Sequence, residues 1–217
     1  MKRLVPIAVT LLLSTLASNP VFASPDGVQP LSKSVDAVQL SLDLGQYSSA
    51  ATTLRSFLSD KPNDPFLLTL LGRALVGIEN LKAAEKTFLR ALQLDPGSID
   101  AYLGLGYIYG RRGDLKKAIS MFDSAIKADP ESAKAYSDRG VTKGAMSQFK
   151  ESIADFDRAI EIDPRYADAY RNRGIAYDAL KQKQNACNDW RSAFSLGQDH
   201  PKEWFDAQCK DKKKPPN

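Results

Sequence analysis

The chain has 217 residues, 43% of them apolar and 26% charged, which is ordinary for one soluble globular domain or one repeat array and points to no special compositional class. Its formal net charge of +4 falls to +2, 28 basic against 26 acidic side chains, once Lys2 and Arg3 are set aside as part of a removable leader. That balance is too weak to argue for nucleic acid, which needs a clustered basic face, and no such partner is expected.

The first 23 residues read as an export signal. Lys2 and Arg3 give the positive start, and Leu4 to Ala17 form an apolar run too short to span a bilayer comfortably. Val21-Phe22-Ala23 places small residues where a signal peptidase reads, so cleavage is expected after Ala23, the alternative being retention as an anchor. No cysteine follows the run to carry a lipid, and no later segment is long and apolar enough for a transmembrane helix. The mature chain is expected to be exported, to a bacterial periplasm or beyond the cell, without stable membrane insertion. Residues 24–30, with two prolines and a glycine, read as a linker.

From Leu31 the chain divides into units of 34 residues: 31–64, 65–98, 99–132, 133–166 and 167–200. Gly72, Gly106, Gly140 and Gly174 recur at that interval, as do Phe88, Phe122, Phe156 and Trp190, and Ala91, Ala125, Ala159 and Ala193. Tyr102, Tyr136 and Tyr170 keep step, and Asp-Pro pairs end at Pro96, Pro130 and Pro164. A period of this length marks stacked supersecondary units. The first unit lacks the glycine but keeps Ala50, Leu54 and Pro62 in phase.

Each unit carries two helical patterns. Tyr102, Leu105, Gly106 and Tyr109 share one helix face, Gly113-Asp114 breaks that helix, and Leu115, Ala118, Ile119, Phe122, Ala125 and Ile126 continue along a second. Asp129-Pro130 ends it, since proline disfavours helical geometry in the residue before it. Neither stripe can be buried alone, so stacking must supply the core. The in-phase glycines, each costing about 1 kcal/mol against alanine within a helix, predict close approach by the aromatic side chain of the paired helix.

After Gly197, residues 201–209 read as a capping helix: Pro201 suits a first turn, and Trp204, Phe205 and Gln208 face one way over the last repeat, with ligand contact by the two aromatics as the alternative. Cys187, near the start of the last repeat's second helix, and Cys209, at the end of that cap, are the only cysteines. In an oxidising compartment an even pair so placed predicts a disulfide. Two cysteines and the single His200 make an incomplete metal set, so no metal is expected. Residues 210–217, with Lys212, Lys213 and Lys214 before two prolines, read as a basic, solvated, disordered tail.

The in-phase residues resemble the tetratricopeptide repeat family: a large residue at position 4 of each unit, Gly at 8, Tyr or Leu at 11, Ala at 20, an aromatic at 24, Ala at 27 and Pro at 32. Residues 65–132 follow it almost without exception, and the unit 133–166 departs at Lys143 and Ser152. The resemblance implies an all-α solenoid, antiparallel helix pairs in a right-handed superhelix, whose concave groove is lined by the first helix of each pair and holds peptides or protein segments. By position the groove candidates are Arg73, Tyr107, Arg111, Lys134, Asp138, Arg171, Asn172 and Asp178. Leu103 and Tyr107, or Ser137 and Val141, stand where a clamp for a peptide C-terminus would need Lys and Asn, so that ligand is not expected. Arg139 and Arg173 are assigned to the packing framework.

No nucleophile–base set or phosphate loop is present; Gly104-Leu105-Gly106 lies within a helix and follows no strand. The expectation is a non-catalytic scaffold or assembly factor of the cell envelope, without cofactors, binding a protein or peptide. The alternatives are self-association through an apolar face around Leu31, Val35 and Val38 of the degenerate first unit, giving a homo-oligomer, and, less favoured, an enzyme.

Overall fold

The computed structural model describes residues 34–197 together with Cys209. The leader, the linker, the tail and all of the capping segment except Cys209 lie outside the described residues. The described residues hold ten helices and no strand: α1 (Val35–Asp43), α2 (Tyr47–Asp60), α3 (Pro65–Gly77), α4 (Leu81–Leu94), α5 (Ile99–Arg111), α6 (Leu115–Ala128), α7 (Ala133–Ala145), α8 (Phe149–Ile162), α9 (Ala167–Ala179) and α10 (Lys183–Ser195). They pair as α1/α2 through α9/α10, each second helix also packing on the first helix of the next pair. The odd-numbered helices additionally touch one another along the stack, α1 to α3 and on to α9, which puts them on the inner side of an α-solenoid.

The turn inside each pair is the same five times over. One residue takes a left-handed conformation at Gly45, Glu79, Gly113, Ser147 and Lys181, with φ of 72°, 60°, 81°, 61° and 60°. Around Gly113 the Gly113 amide donates to the Gly110 carbonyl (3.0 Å) and the Asp114 amide to the Tyr109 carbonyl (2.9 Å), closing the helix with the double bond pattern typical of a left-handed C-terminus. The connection between pairs uses the Asp-Pro dipeptides. Asp95, Asp129 and Asp163 have extended backbones before their prolines. Each carboxylate then accepts from an amide two residues on, those of Gly97, Glu131 and Arg165, at 3.0, 3.0 and 2.9 Å.

The core is built on the glycine–aromatic pairs. A Cβ placed on Gly72, Gly106, Gly140 or Gly174 would fall within 3.0 Å of Phe88, Phe122, Phe156 or Trp190 respectively, closer than real Cβ atoms approach. Phe88 is wedged from a second side, since a Cβ on Gly104 of the next pair would also collide with it. The first pair achieves the same fit by exchange of volume: Val38 replaces the glycine, Leu54 replaces the aromatic, and both are buried. Val38 thus belongs to the core, which corrects the expectation that it presents an apolar face for self-association; Leu31 lies outside the described residues, among which the exposed large apolar ones of that end are Val35, Leu40 and Leu44.

Two polar assemblies replace hydrocarbon in the later repeats. Arg139 donates to both oxygens of Asp155 (3.0 and 2.6 Å) and to Asp123 of the preceding pair (2.7 Å). One repeat on, Arg173 does the same with Asp189 (2.7 and 2.7 Å) and Asp157 (2.6 Å). The departure at Lys143 belongs to the first of these assemblies, pairing with Asp155 at 2.7 Å; at the other departure, the buried Ser152 hydroxyl donates to the Gly140 carbonyl at 2.7 Å. Both guanidinium groups are partly desolvated, yet their carboxylate partners hold them more firmly protonated than a free arginine. At the far end the sulfurs of Cys187 and Cys209 stand 2.05 Å apart, their Cα atoms 5.5 Å apart, and the pair packs against Tyr177 and Trp190.

Gly106→Leu is expected to cost about 1–3 kcal/mol by overpacking against Phe122, whereas Gly110→Ala, whose Cβ would meet nothing within 4 Å, should stabilise by up to about 1 kcal/mol; urea titrations of the two variants read both signs. Asp155→Ala strands Arg139 and Lys143 half-buried, and should cost about 2–3 kcal/mol in the same measurement. Reduction of the Cys187–Cys209 pair, 22 residues apart in sequence, should lower stability by about 3 kcal/mol in the chain-entropy account, and alkylation without reductant should label no thiol.

Candidate functional site: the concave groove

Counting along the odd-numbered helices, positions 2, 5, 6, 9, 12 and 13 of each repeat turn away from the paired helix. On α3, α5 and α7 these residues converge on one concavity of about 530 Å3. Its floor is apolar and short-sided: Gly77, Gly104, Gly106 and Gly110 lie beside Leu103, with Phe88 and Phe122 beneath. Tyr107 and Val141 stand at position 9 on successive helices and line it, 43% and 46% exposed; Ile175, at the same position on α9, is 53% exposed and continues the stripe. Exposed large apolar groups at one register, on the inner face of a solenoid, form a surface suited to covering by another chain.

The charged groups divide by rim, because all the odd-numbered helices run the same way. In their C-terminal halves stand Arg73, at position 9 on α3 in the register of Tyr107 and Val141, and Arg111, the last residue of α5. Arg111 is committed internally: it donates to the Tyr107 hydroxyl (2.6 Å) and to Glu79 (3.1 Å), bonds that hold it more firmly protonated than a free arginine. Arg73 is held only loosely, 3.4 Å from the Gln39 side-chain oxygen and 3.8 Å from Asp43.

In the N-terminal halves stand Asp100 and Lys134, in the first turns of α5 and α7, and Asp138 one turn further along α7. Lys134 and Asp138 pair at 3.0 Å. Burial raises the Asp138 carboxyl above the ordinary carboxylate value, and Asp168 adds to the rise against the pull of Lys134. Burial costs the Lys134 ammonium, but Asp138, then Tyr166 and Asp100, more than offset it, and its pKa also lies above the usual lysine value. The Asp138 rise is thus mainly an effect of burial, and the Lys134 rise mainly an effect of the Asp138 carboxylate beside it.

Of the residues singled out in the sequence, Arg73, Tyr107, Arg111, Lys134 and Asp138 line this concavity together. Arg171, Asn172 and Asp178 are on α9, one repeat further, and are not among its lining residues. Arg171 reaches Asp168 at 3.6 Å, while its buried Nε has no hydrogen-bond partner. Arg139 and Arg173 are framework residues, as their positions beside the glycines suggested. Sequence reasoning passed over Asp100, Leu103, Gly104, Gly110 and Val141. The signal for them was available, since they occupy the same register positions as the chosen residues, but small or apolar side chains do not announce a binding role. No helix among the described residues is long and apolar enough to cross a membrane.

A search of curated proteins finds no match to this chain. Among solved structures, one described as the crystal structure of MamA is 23% identical with a TM-score of 0.63, over 75% of this chain and 95% of that one. A MamA fragment from Desulfovibrio magneticus gives 22% and 0.63, over 76% and 94%. A thermophilic TPR protein of Thermus thermophilus gives 18% and 0.67, over 75% and 89%. At such identities the likeness is one of fold. A tetratricopeptide repeat model matches residues 35–99, 69–133 and 103–142, and a second TPR repeat model matches 144–181. With the interlocked glycine–aromatic pairs and the helix stack, those matches over most of the chain make it a member of the tetratricopeptide repeat family.

Proposed function

We propose that the chain is an exported, non-catalytic scaffold or assembly factor of the cell envelope that binds a peptide or protein segment in the groove of its odd-numbered helices. The observation that carries this reading is the concavity itself. It gathers Arg73, Tyr107, Arg111, Lys134 and Asp138, side chains that do not recur from repeat to repeat, over an apolar floor. Arg and Tyr are enriched among residues that dominate binding energy, and Tyr107 is already braced by Arg111. Export rests on the leader composition of residues 1–23, and the even pair Cys187 and Cys209 suits an oxidising compartment. Arg171, Asn172 and Asp178 extend the groove along α9 in this reading.

A second reading, self-association through the first pair, is favoured by Leu40 and Leu44, which are 59% and 63% exposed at that end of the array. Light scattering across a concentration series separates the two, because a strict monomer removes self-association.

Crosslinking of the tagged protein in its native envelope should capture a defined partner. Capture should fall at least tenfold when Arg73, Tyr107 and Arg171 are replaced by alanine, with the melting temperature unchanged. Equal capture by wild type and triple variant would remove the groove from the account. Mass spectrometry of the exported protein should find Ser24 at its N-terminus, and an intact leader would overturn the cleavage.

A further inference from the structure

Resting on the groove reading, we infer that the ligand is an extended peptide carrying a large apolar side chain between an acidic and a basic one, with its main chain laid against Gly110.

Gly110 differs from the other glycines of the concave face. Gly77, Gly104 and Gly106 have a packing reason, for a Cβ on them would collide with Tyr47, Phe88 and Phe122. At Gly110 a Cβ would meet nothing within 4 Å, and the residue lies inside α5 at an ordinary helical conformation. Nothing in the fold needs glycine there, although glycine weakens a helix relative to alanine. Its effect is to keep the floor of the groove bare between Tyr107 and Arg111, where another backbone can approach as closely as glycine alone permits.

The apolar part of the concavity beside it, lined by Leu103, Tyr107 and Val141, takes large aliphatic or aromatic side chains.

The flanking charges follow from the two rims. On one, the loosely held Arg73 offers a bidentate donor set to a carboxylate. On the other, Asp100 and Asp138 face a single Lys134. The positive ends of helices α5 and α7 oppose that surplus with only about half a unit charge each, so the carboxylates set the sign and a cationic side chain fits there.

The probe is a phage-displayed library of random dodecapeptides, selected on the purified protein. Enriched sequences should share an acidic residue, a large apolar residue and a basic residue in close succession. A synthetic peptide of that consensus should lose at least tenfold in affinity to Gly110→Leu and to Arg73→Glu, neither variant melting below the wild type. Affinity for Arg73→Glu should return when the peptide's acidic residue is changed to lysine, which a merely structural disturbance would not allow. Enriched peptides without the charge pattern, or with equal affinity for Gly110→Leu, overturn this inference. If such peptides still lose affinity to Tyr107→Ala, the groove reading stands without it. If they bind Tyr107→Ala and Arg73→Ala as well as wild type, or if no sequence is enriched, the groove reading falls too.

Discussion

Everything in this molecule follows from how closely the two helices of a pair approach each other, and that approach is set where a glycine faces an aromatic ring. Removing one Cβ lets Phe88, Phe122, Phe156 or Trp190 lie directly on the backbone of the opposing helix. The loss of helix propensity, about 1 kcal/mol per glycine, is small beside the about 3–5 kcal/mol that truncating a buried aromatic to alanine typically costs. The exchange at Val38 and Leu54 shows that summed volume is what is conserved across the pair. Because the same fit recurs each 34 residues, each pair is offset from the last by a similar step, and the odd-numbered helices come to share one inner surface.

The stack changes its cement along its length. A large apolar cluster joins α1 to α5, while three small ones serve the rest. Where Leu105, Met121 and Leu89 stand in the early repeats, Arg139, Asp155 and Asp123 stand one repeat later. Ionic contacts of this kind gain little net energy, since desolvation offsets most of the attraction. Their geometry is demanding, however, and Arg139 bonds within its own pair and to the preceding one at once. The later repeats therefore trade apolar adhesion for an ionic contact that ties each pair to the one before. Lys143, which looks like a lapse from the family pattern, pairs with Asp155 in that trade, while Ser152 bonds the Gly140 carbonyl within its own pair.

The fold was legible because its determinants are local and periodic: the spacing of Gly106 to Phe122 is the same as that of Gly140 to Phe156, and the Asp-Pro pairs end helices by backbone sterics alone. The groove was legible only as a register. Counting residues finds Arg73, Tyr107, Arg111, Lys134 and Asp138, but it does not say which side chains are already spent on internal partners. Arg73 and Arg111 both fall at concave positions, 9 and 13, yet Arg111 is tied to Glu79 and Tyr107 while Arg73 is nearly loose. That difference depends on where the turn residue Glu79 points, a tertiary fact with no periodic signature. Gly104 is a similar case. It reads as an incidental helical glycine, but it closes the second side of the Phe88 pocket from the neighbouring pair.

Three consecutive residues of α7 show how such a scaffold separates folding from recognition. Asp138 lines the groove, Arg139 ties its pair to the one before, and Gly140 receives the ring of Phe156. Successive residues on a helix point about 100° apart, so each looks onto a different neighbour. A change at Gly140 moves both helices of the pair, and a change at Arg139 strands carboxylates in two. A change at Asp138 alters only what the groove presents, since its partner Lys134 lies on the same helix and the same face. Concave positions can thus diverge at little cost to the stack, provided their side chains are not also holding it together. By that criterion Arg73, Val141 and Gly110 are the freest to change with a partner, and Arg111 the least.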